Sequence, residues 1–146
     1  ELATEFPRAT ITHDTDEALA MMLDAVIARL RGDRVAPDVA VDMQVTAFQQ
    51  RVLDALIAIP FGETRSYAQI AAAIGKPGAA RAVANVCATN RVAVVIPCHR
   101  VIHADGSMSG YRWGNQIKRA LLQVEGALVP HGDGAAPAAV RRRRAS

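Results

Sequence analysis

The sequence predicts a mainly α-helical chain organised around a helix-turn-helix, and three observations predict it. Apolar residues recur at three- and four-residue spacing in separate segments, the mark of amphipathic helices. Three segments open with Asp, Thr or Ser followed three residues later by Glu or Gln, which is the pattern of a capping box. Two short helical stretches are separated by Gly75-Lys76-Pro77-Gly78, a tight turn of the kind that joins the helices of a helix-turn-helix.

The elements follow in order. Asp14 with Glu17 caps a first helix, along which Leu19, Met22, Val26, Ile27 and Leu30 form an apolar face and which Gly32 closes, so that it reads as an amphipathic core helix. Residues 35–43 read as a connector. Thr46 with Gln49 caps a second helix, whose face is Val45, Phe48, Val52, Leu56 and Ile59 and which Pro60 ends. Ser66 with Gln69 opens a short helix from Tyr67 to Ile74, with Gly75 at its C-terminal cap. Ala79 to Ala88 is a small-residue helix and the second member of the helix-turn-helix. Val92 to Ile96 is a short apolar run read as a buried strand. A last helix spans about Asn115 to Glu125, with Ile117, Leu121 and Val124 as its apolar face and Gly126 as its stop.

With 146 residues the chain holds one domain, or one domain with a smaller appendage. The organisation expected is a helical segment and connector over 1–43, a main domain over 44–127 and a disordered basic tail over 128–146. No apolar run approaches the ~20 residues of a membrane span, and no signal-peptide pattern opens the chain. No membrane partner is therefore expected. Arg141 to Arg144 supply four of the 17 basic residues, against 14 acidic ones, so the positive excess is a property of the tail. Two cysteines, Cys87 and Cys98, are too few for a disulfide framework and fit reduced thiols in a cytoplasm.

The chemistry centres on Ile96-Pro97-Cys98-His99-Arg100. Cys98 is the strong nucleophile candidate, and a thiol becomes one only beside a base or a positive charge. His99 is adjacent in sequence, but neighbouring side chains on an extended chain point to opposite faces. An orienting carboxylate is also needed, and the sequence leaves Asp105 and Glu125 both open. The competing reading is an inert buried cysteine beside a satisfied histidine. Cys87, Cys98, His99 and His103 lack metal-ligand spacing, so no metal is expected.

Taken together, Ser66-Tyr67-Ala68-Gln69-Ile70-Ala71, Ala80-Arg81-Ala82-Val83, Asn90, Ile96 to Ile102, Asp105-Gly106 and Ser109-Gly110-Tyr111-Arg112-Trp113-Gly114 form an ordered series. The series resembles the C-terminal domain of the O6-alkylguanine-DNA alkyltransferases, the methylated-DNA–protein-cysteine methyltransferases, and its Gly-Tyr-Arg-Trp-Gly loop resembles the bacterial Ada branch. The resemblance runs from about Thr46 to Gly126. It implies a winged-helix-like DNA-binding methyltransferase domain, preceded here by a short N-terminal helical remnant of an α/β subdomain.

The resemblance also implies roles. Cys98 takes the alkyl group from O6 of guanine, once and irreversibly. His99 is the base, acting through a water, with Glu125 as its orienter. Asn90 ties the loop before the site to the helix-turn-helix. Tyr67 donates to the base, and Arg81 fills the gap left by the flipped nucleotide. The helix from Ala79 to Ala88 lies in the minor groove, where Ala79, Ala80 and Ala84 let backbone come close. Ser109, Tyr111, Arg112 and Trp113 line the base pocket. The implied partner is double-stranded DNA containing O6-alkylguanine, the implied protein a monomer of the bacterial cytoplasm associated with the nucleoid, and no cofactor is implied. Two other classes compete. A noncatalytic alkyltransferase-like damage binder would have its nucleophile replaced, whereas Cys98 is present. A Cys-His hydrolase would need an oxyanion hole and a peptide groove that the helix-turn-helix does not suggest.

Overall fold

The computed structural model describes residues 10, 17–33, 41, 43–108 and 110–127. Five helices and one short parallel strand pair make up the described chain: α1 (Glu17–Arg31), α2 (Ala47–Ile57), β1 (Arg65–Ser66), α3 (Tyr67–Ala73), α4 (Ala80–Thr89), a 3-10 turn (Cys98–Arg100), β2 (Val101–Ile102) and α5 (Asn115–Val124).

Local chemistry sets most of these boundaries. At α2 the Thr46 hydroxyl accepts from Gln49 N at 3.2 Å while the Gln49 side chain accepts from Thr46 N at 2.8 Å. At α3 the same reciprocal pair joins Ser66 and Gln69, at 3.1 and 2.7 Å. Each pair satisfies two backbone donors that a helix start leaves open. Asp14 lies outside the described residues, and so does the first expected box. Gly75, at φ +74, ends α3 with its N–H on Ala72 O and the Lys76 N–H on Ala71 O. Those bonds close a left-handed cap that glycine takes without steric cost.

The core joins α2, α3 and α4 to the segment around Cys98. Val52, Leu56, Ala71, Val83 and Val101 are fully enclosed, with Ile59, Ile70, Ile96 and Cys98 beside them. The strands pair in parallel, Arg65 with Val101 and Ser66 with Ile102. This ladder fastens the start of α3 to the chain just past Cys98.

Three expectations change. The apolar face of α1 is not in the core: only Ala25 is buried, and Leu19, Met21, Met22 and Leu23 are 42–68% exposed. The helix forms as its periodicity predicts, but only its C-terminal half approaches α5. The buried face of α5 is Lys118, Leu121, Leu122 and Glu125, while Ile117 and Val124 are about half exposed. Two polar residues thus complete the stripe that apolar periodicity alone would rotate away. Val92 to Ile96 is a turn rather than a strand. Val92 N donates to the Asn90 side chain, Ile96 N donates to Val92 O, and Val94 sits at φ +75.

Candidate active site

The chain reaches Cys98 through Asn90, which ends α4. Its amide uses three of its four bonding positions. Oδ1 accepts from Val92 N at 3.0 Å, and Nδ2 donates to Ile96 O at 3.2 Å and to Cys98 Sγ at 3.1 Å. The reverse orientation would set Oδ1 against the Ile96 carbonyl, so the network fixes which end faces the sulfur. A donor aimed at sulfur favours the thiolate.

Cys98, His99 and Arg100 form one 3-10 turn. At three residues per turn, successive side chains diverge by about 120° rather than pointing to opposite faces. Cys98 and His99 are therefore both buried, on adjacent sides of one turn. His99 Nε2 meets Glu125 Oε1 at 2.8 Å. Arg100, which the sequence had left outside the site, clamps the same carboxylate through Nε to Oε2 at 2.9 Å and Nη2 to Oε1 at 3.0 Å, while Nη1 donates to Ile59 O at 2.7 Å. Gly62 N approaches Oε2 at 3.4 Å.

Glu125, not Asp105, faces the histidine; Asp105 bonds Ser107 in its own turn. Burial alone would raise the Glu125 carboxyl, but hydrogen bonds from His99 and Arg100 outweigh it and hold the group at about 2. An ionised carboxylate can only accept, so Nε2 is the donor in this pair, and in a neutral ring Nδ1 is the nitrogen that accepts. Nδ1 is buried and meets no protein partner. The arrangement puts this nitrogen and the thiol on one turn, with no direct bond between them.

The remaining wall is Tyr67, Tyr111, Cys87 and Lys118. Tyr67 begins α3 and meets the His103 ring edge-on at 5.1 Å between centroids. Burial, with the two thiols behind it, raises the Tyr67 hydroxyl to about 12. Tyr111 is buried, and its hydroxyl lies close to Cys98 without a partner at good hydrogen-bonding geometry. Burial pushes the Cys98 thiol up, opposed by Asn90, Tyr111 and Lys118. Lys118 is also new to the site. It is 1% exposed, and its ammonium donates to Val101 O with the Tyr111 and Tyr67 rings 5.5 and 5.9 Å away. Burial lowers it.

The other predicted positions are further out. Arg81 is exposed on the outer side of α4, with Ala82, Asn85 and Thr89. Ala84 is half-buried, and Ala79 and Ala80 pack on the core. Arg112 and Trp113 do not reach the sulfur region. They stand on the surface as a stacked pair, guanidinium to ring 5.6 Å, because the turn after Tyr111 directs them outward. Ser109 lies outside the described residues. Cavities of about 280 and 300 Å³ flank the site, one beside His99, Arg100 and Glu125 and the other beside Ser66, Ile102 and His103. Cys98 lines neither and is 1% exposed. Among the described residues no cluster of His, Cys, Asp or Glu could hold a metal ion.

Residues 47–127, more than half of the chain, match the family model of the 6-O-methylguanine DNA methyltransferase, DNA binding domain. The chain belongs to this family. Every site residue from Tyr67 to Glu125 lies within the matched span, and α1 lies before it. The regulatory protein Ada of Salmonella typhimurium is 51% identical over 126 residues, covering 86% of this chain and 35% of the relative. The methylated-DNA–protein-cysteine methyltransferase of Mycobacterium bovis is 47% identical over 121 residues, covering 82% of this chain and 73% of the relative. The crystal structure of Mycobacterium tuberculosis OGT in complex with DNA superposes with a TM-score of 0.69 at 48% identity, covering 73% of this chain and 66% of that one. The chain thus spans about a third of the length of the Ada relative. Among the described residues no helix is long and apolar enough to cross a membrane.

Proposed function

We propose that this alkyltransferase-family chain repairs duplex DNA by moving an alkyl group, methyl in the simplest case, from O6 of guanine to its own Cys98. The observation that carries the reading is the thiol held by the Asn90 amide on the same turn as an imidazole whose Nε2 is tied to an ionised carboxylate. Sulfur attacks the alkyl carbon opposite O6, so the S–C bond forms as the C–O6 bond breaks. The thiol proton leaves to His99 Nδ1 across one water, and Glu125 steadies the imidazolium. The electron pair of the broken bond passes into the guanine, where the Tyr67 hydroxyl supplies a proton or a hydrogen bond as charge develops. The thioether does not revert, so each molecule acts once, and the atoms balance without a cofactor.

A base inside a duplex is out of reach and must be flipped out, at a few kcal/mol. Arg81, on the exposed side of α4, is the side chain suited to fill the vacated stack, with Ala79, Ala80 and Ala84 in the helix that lies along the minor groove. In this reading Ser109 and Tyr111 belong to the base pocket, and Arg112 and Trp113, outward on the surface here, turn in to complete it around a flipped base. Residues 44–127 carry the chemistry, 1–43 form a helical appendage, and the basic tail of 128–146 adds attraction to phosphates. The protein works as a monomer in the cytoplasm, at the nucleoid.

With a duplex containing O6-methylguanine, the expected result is loss of one methyl group from DNA per protein molecule and no turnover thereafter. Tight binding without methyl loss would instead make the chain a damage-binding protein. Arg81→Ala should slow repair of the duplex about tenfold or more, some 1.4 kcal/mol. It should leave the reaction with free O6-methylguanine unchanged. Equal slowing of both substrates would contradict the stack-filling role.

A further inference from the structure

Lys118 is fully enclosed, and among the described residues no carboxylate pairs with its ammonium. It is 1% exposed, it donates to the Val101 carbonyl, and two tyrosine rings face it. Among the described residues the carboxylate pairs are elsewhere, at Glu63–Arg65 and at Glu125 with His99 and Arg100. Burying a charge is costly unless a counter-charge and hydrogen bonds offset it, and one carbonyl with two ring faces is incomplete compensation. A methionine would fill the same space more cheaply.

The groups that face Cys98 narrow the explanation. Asn90 bonds the sulfur from α4, Cys87 of α4 and Tyr111 of the loop before α5 share its core cluster, and Tyr67 of α3 packs against that cluster. Lys118 of α5 meets Val101 and both tyrosine rings, and His99 with Glu125 lies on the neighbouring side of the turn. Of these, Lys118 is the one buried amine. Val101, which holds it, lies three residues beyond the nucleophile. The two thiols favour its charged form, and it favours theirs.

We propose that Lys118 is an electrostatic positioning residue: its ammonium, clamped on Val101 between Tyr67 and Tyr111, is the counter-charge against which the Cys98 thiolate forms. The proposal rests on Cys98 being the alkyl acceptor. It has a second consequence. Alkylation turns the sulfur into a neutral thioether, so the transfer strands a buried positive charge in the wall of the site. The alkylated protein is then less stable than the free one, and the loss is carried by Lys118.

The test uses the whole chain and needs no DNA. The ultraviolet absorbance of the thiolate is titrated as a difference against Cys98→Ser, in the parent and in Lys118→Met. The expected result is a midpoint displaced upward by about one pH unit or more in Lys118→Met, an approximately tenfold smaller thiolate fraction at a given pH below it. Methyl iodide then methylates Cys98, with the site confirmed by peptide mass. Methylation should lower Tm in the parent and have little effect in Lys118→Met. Should Lys118→Met fail to fold, nitrogen-15 NMR of the lysine Nζ in the parent decides the matter: the Lys118 midpoint should fall on methylation. An unchanged thiolate midpoint in the variant, or an unchanged Lys118 midpoint on methylation, would overturn the proposal. Because small electrophiles replace the DNA, a failure here is separable from a failure of O6-methylguanine to react.

Discussion

The surroundings of Cys98 and the helix α1 are opposite solutions to burying a helix face. Around Cys98 the enclosed groups include Asn90, His99, Lys118 and Glu125, all polar, and each has a named partner. Along α1 the residues are apolar and yet exposed, with Met21 at 68% and Leu23 at 59%. A domain that encloses polar side chains while leaving methionine and leucine in solvent is not minimising apolar exposure alone. The buried polar set is where the chain gives up packing energy, and such places are where function concentrates. The contrast also explains why α1 contributes little to the site: it approaches α5 only through its last turns, near Val124 and Gly32.

Substitutions can break this contrast, and the largest effect is expected at Glu125. Glu125→Gln removes the anion shared by His99 and Arg100, both otherwise enclosed or nearly so. Breaking a buried pair costs about 3 kcal/mol, readable by denaturant unfolding. The same variant should slow alkylation, since the His99 tautomer is no longer dictated. Its pH behaviour follows in sign. The folded carboxyl lies at about 2 against an ordinary 4.5, so its stabilisation is complete above about pH 4.5 and is lost as pH falls towards 2. That contribution is on the order of 2–3 kcal/mol. Acid unfolding of Glu125→Gln should lack this component, and an identical acid profile in both proteins would contradict the account.

A smaller effect is expected at Gly62, and a matched control sharpens it. Gly62 and Gly75 both lie at positive φ, +78 and +74. A Cβ on Gly62 would stand 2.9 Å from the Glu125 carbonyl oxygen, whereas one on Gly75 meets nothing within 4 Å. Gly75→Ala should cost only the left-handed backbone penalty, about 1 kcal/mol. Gly62→Ala should cost roughly 2–3 kcal/mol, because the end of α5 must also shift, and it should disturb alkylation as well as stability. Equal costs at both sites would show that the approach to Glu125 is slack. The smallest effect belongs to α1: Met21→Ser should alter the unfolding free energy by less than about 0.5 kcal/mol, the range for exposed positions.

What the sequence made legible was local. Thr46 with Gln49 and Ser66 with Gln69 cap their helices as read, because a capping box needs no distant partner. Gly32, Gly75 and Gly126 close helices at positive φ for the same reason. The helix-turn-helix was equally local, and the ordered series from Ser66-Tyr67 through Ala80-Arg81, Asn90 and Pro97-Cys98-His99-Arg100 to Gly110-Tyr111-Arg112-Trp113-Gly114 carried the family resemblance. Contacts between segments were harder to read. Lys118 lies off the face that the apolar positions Ile117, Leu121 and Val124 of α5 suggested. Its burial becomes visible only when Glu125, seven residues on, is counted on the same face. Arg100 sat inside the motif, but its grip on Glu125 and Ile59 depends on tertiary packing. Val92 to Ile96 has the composition of a strand, and the Asn90 side chain overrides it by drawing the backbone into a turn.

The central claim is that Cys98, and not Cys87, is the sulfur that takes the alkyl group. Burial raises both thiols, Cys87 to about 12, but at Cys98 the Asn90 donor, Tyr111 and Lys118 oppose the rise. The direct measurement is peptide mass mapping after one exposure to a duplex carrying O6-methylguanine, in the parent and in Cys98→Ser. The account predicts a single added methyl on the peptide containing Cys98, none on Cys87, and none anywhere in Cys98→Ser. A methyl on Cys87, or methyl transfer that persists in Cys98→Ser, would contradict it.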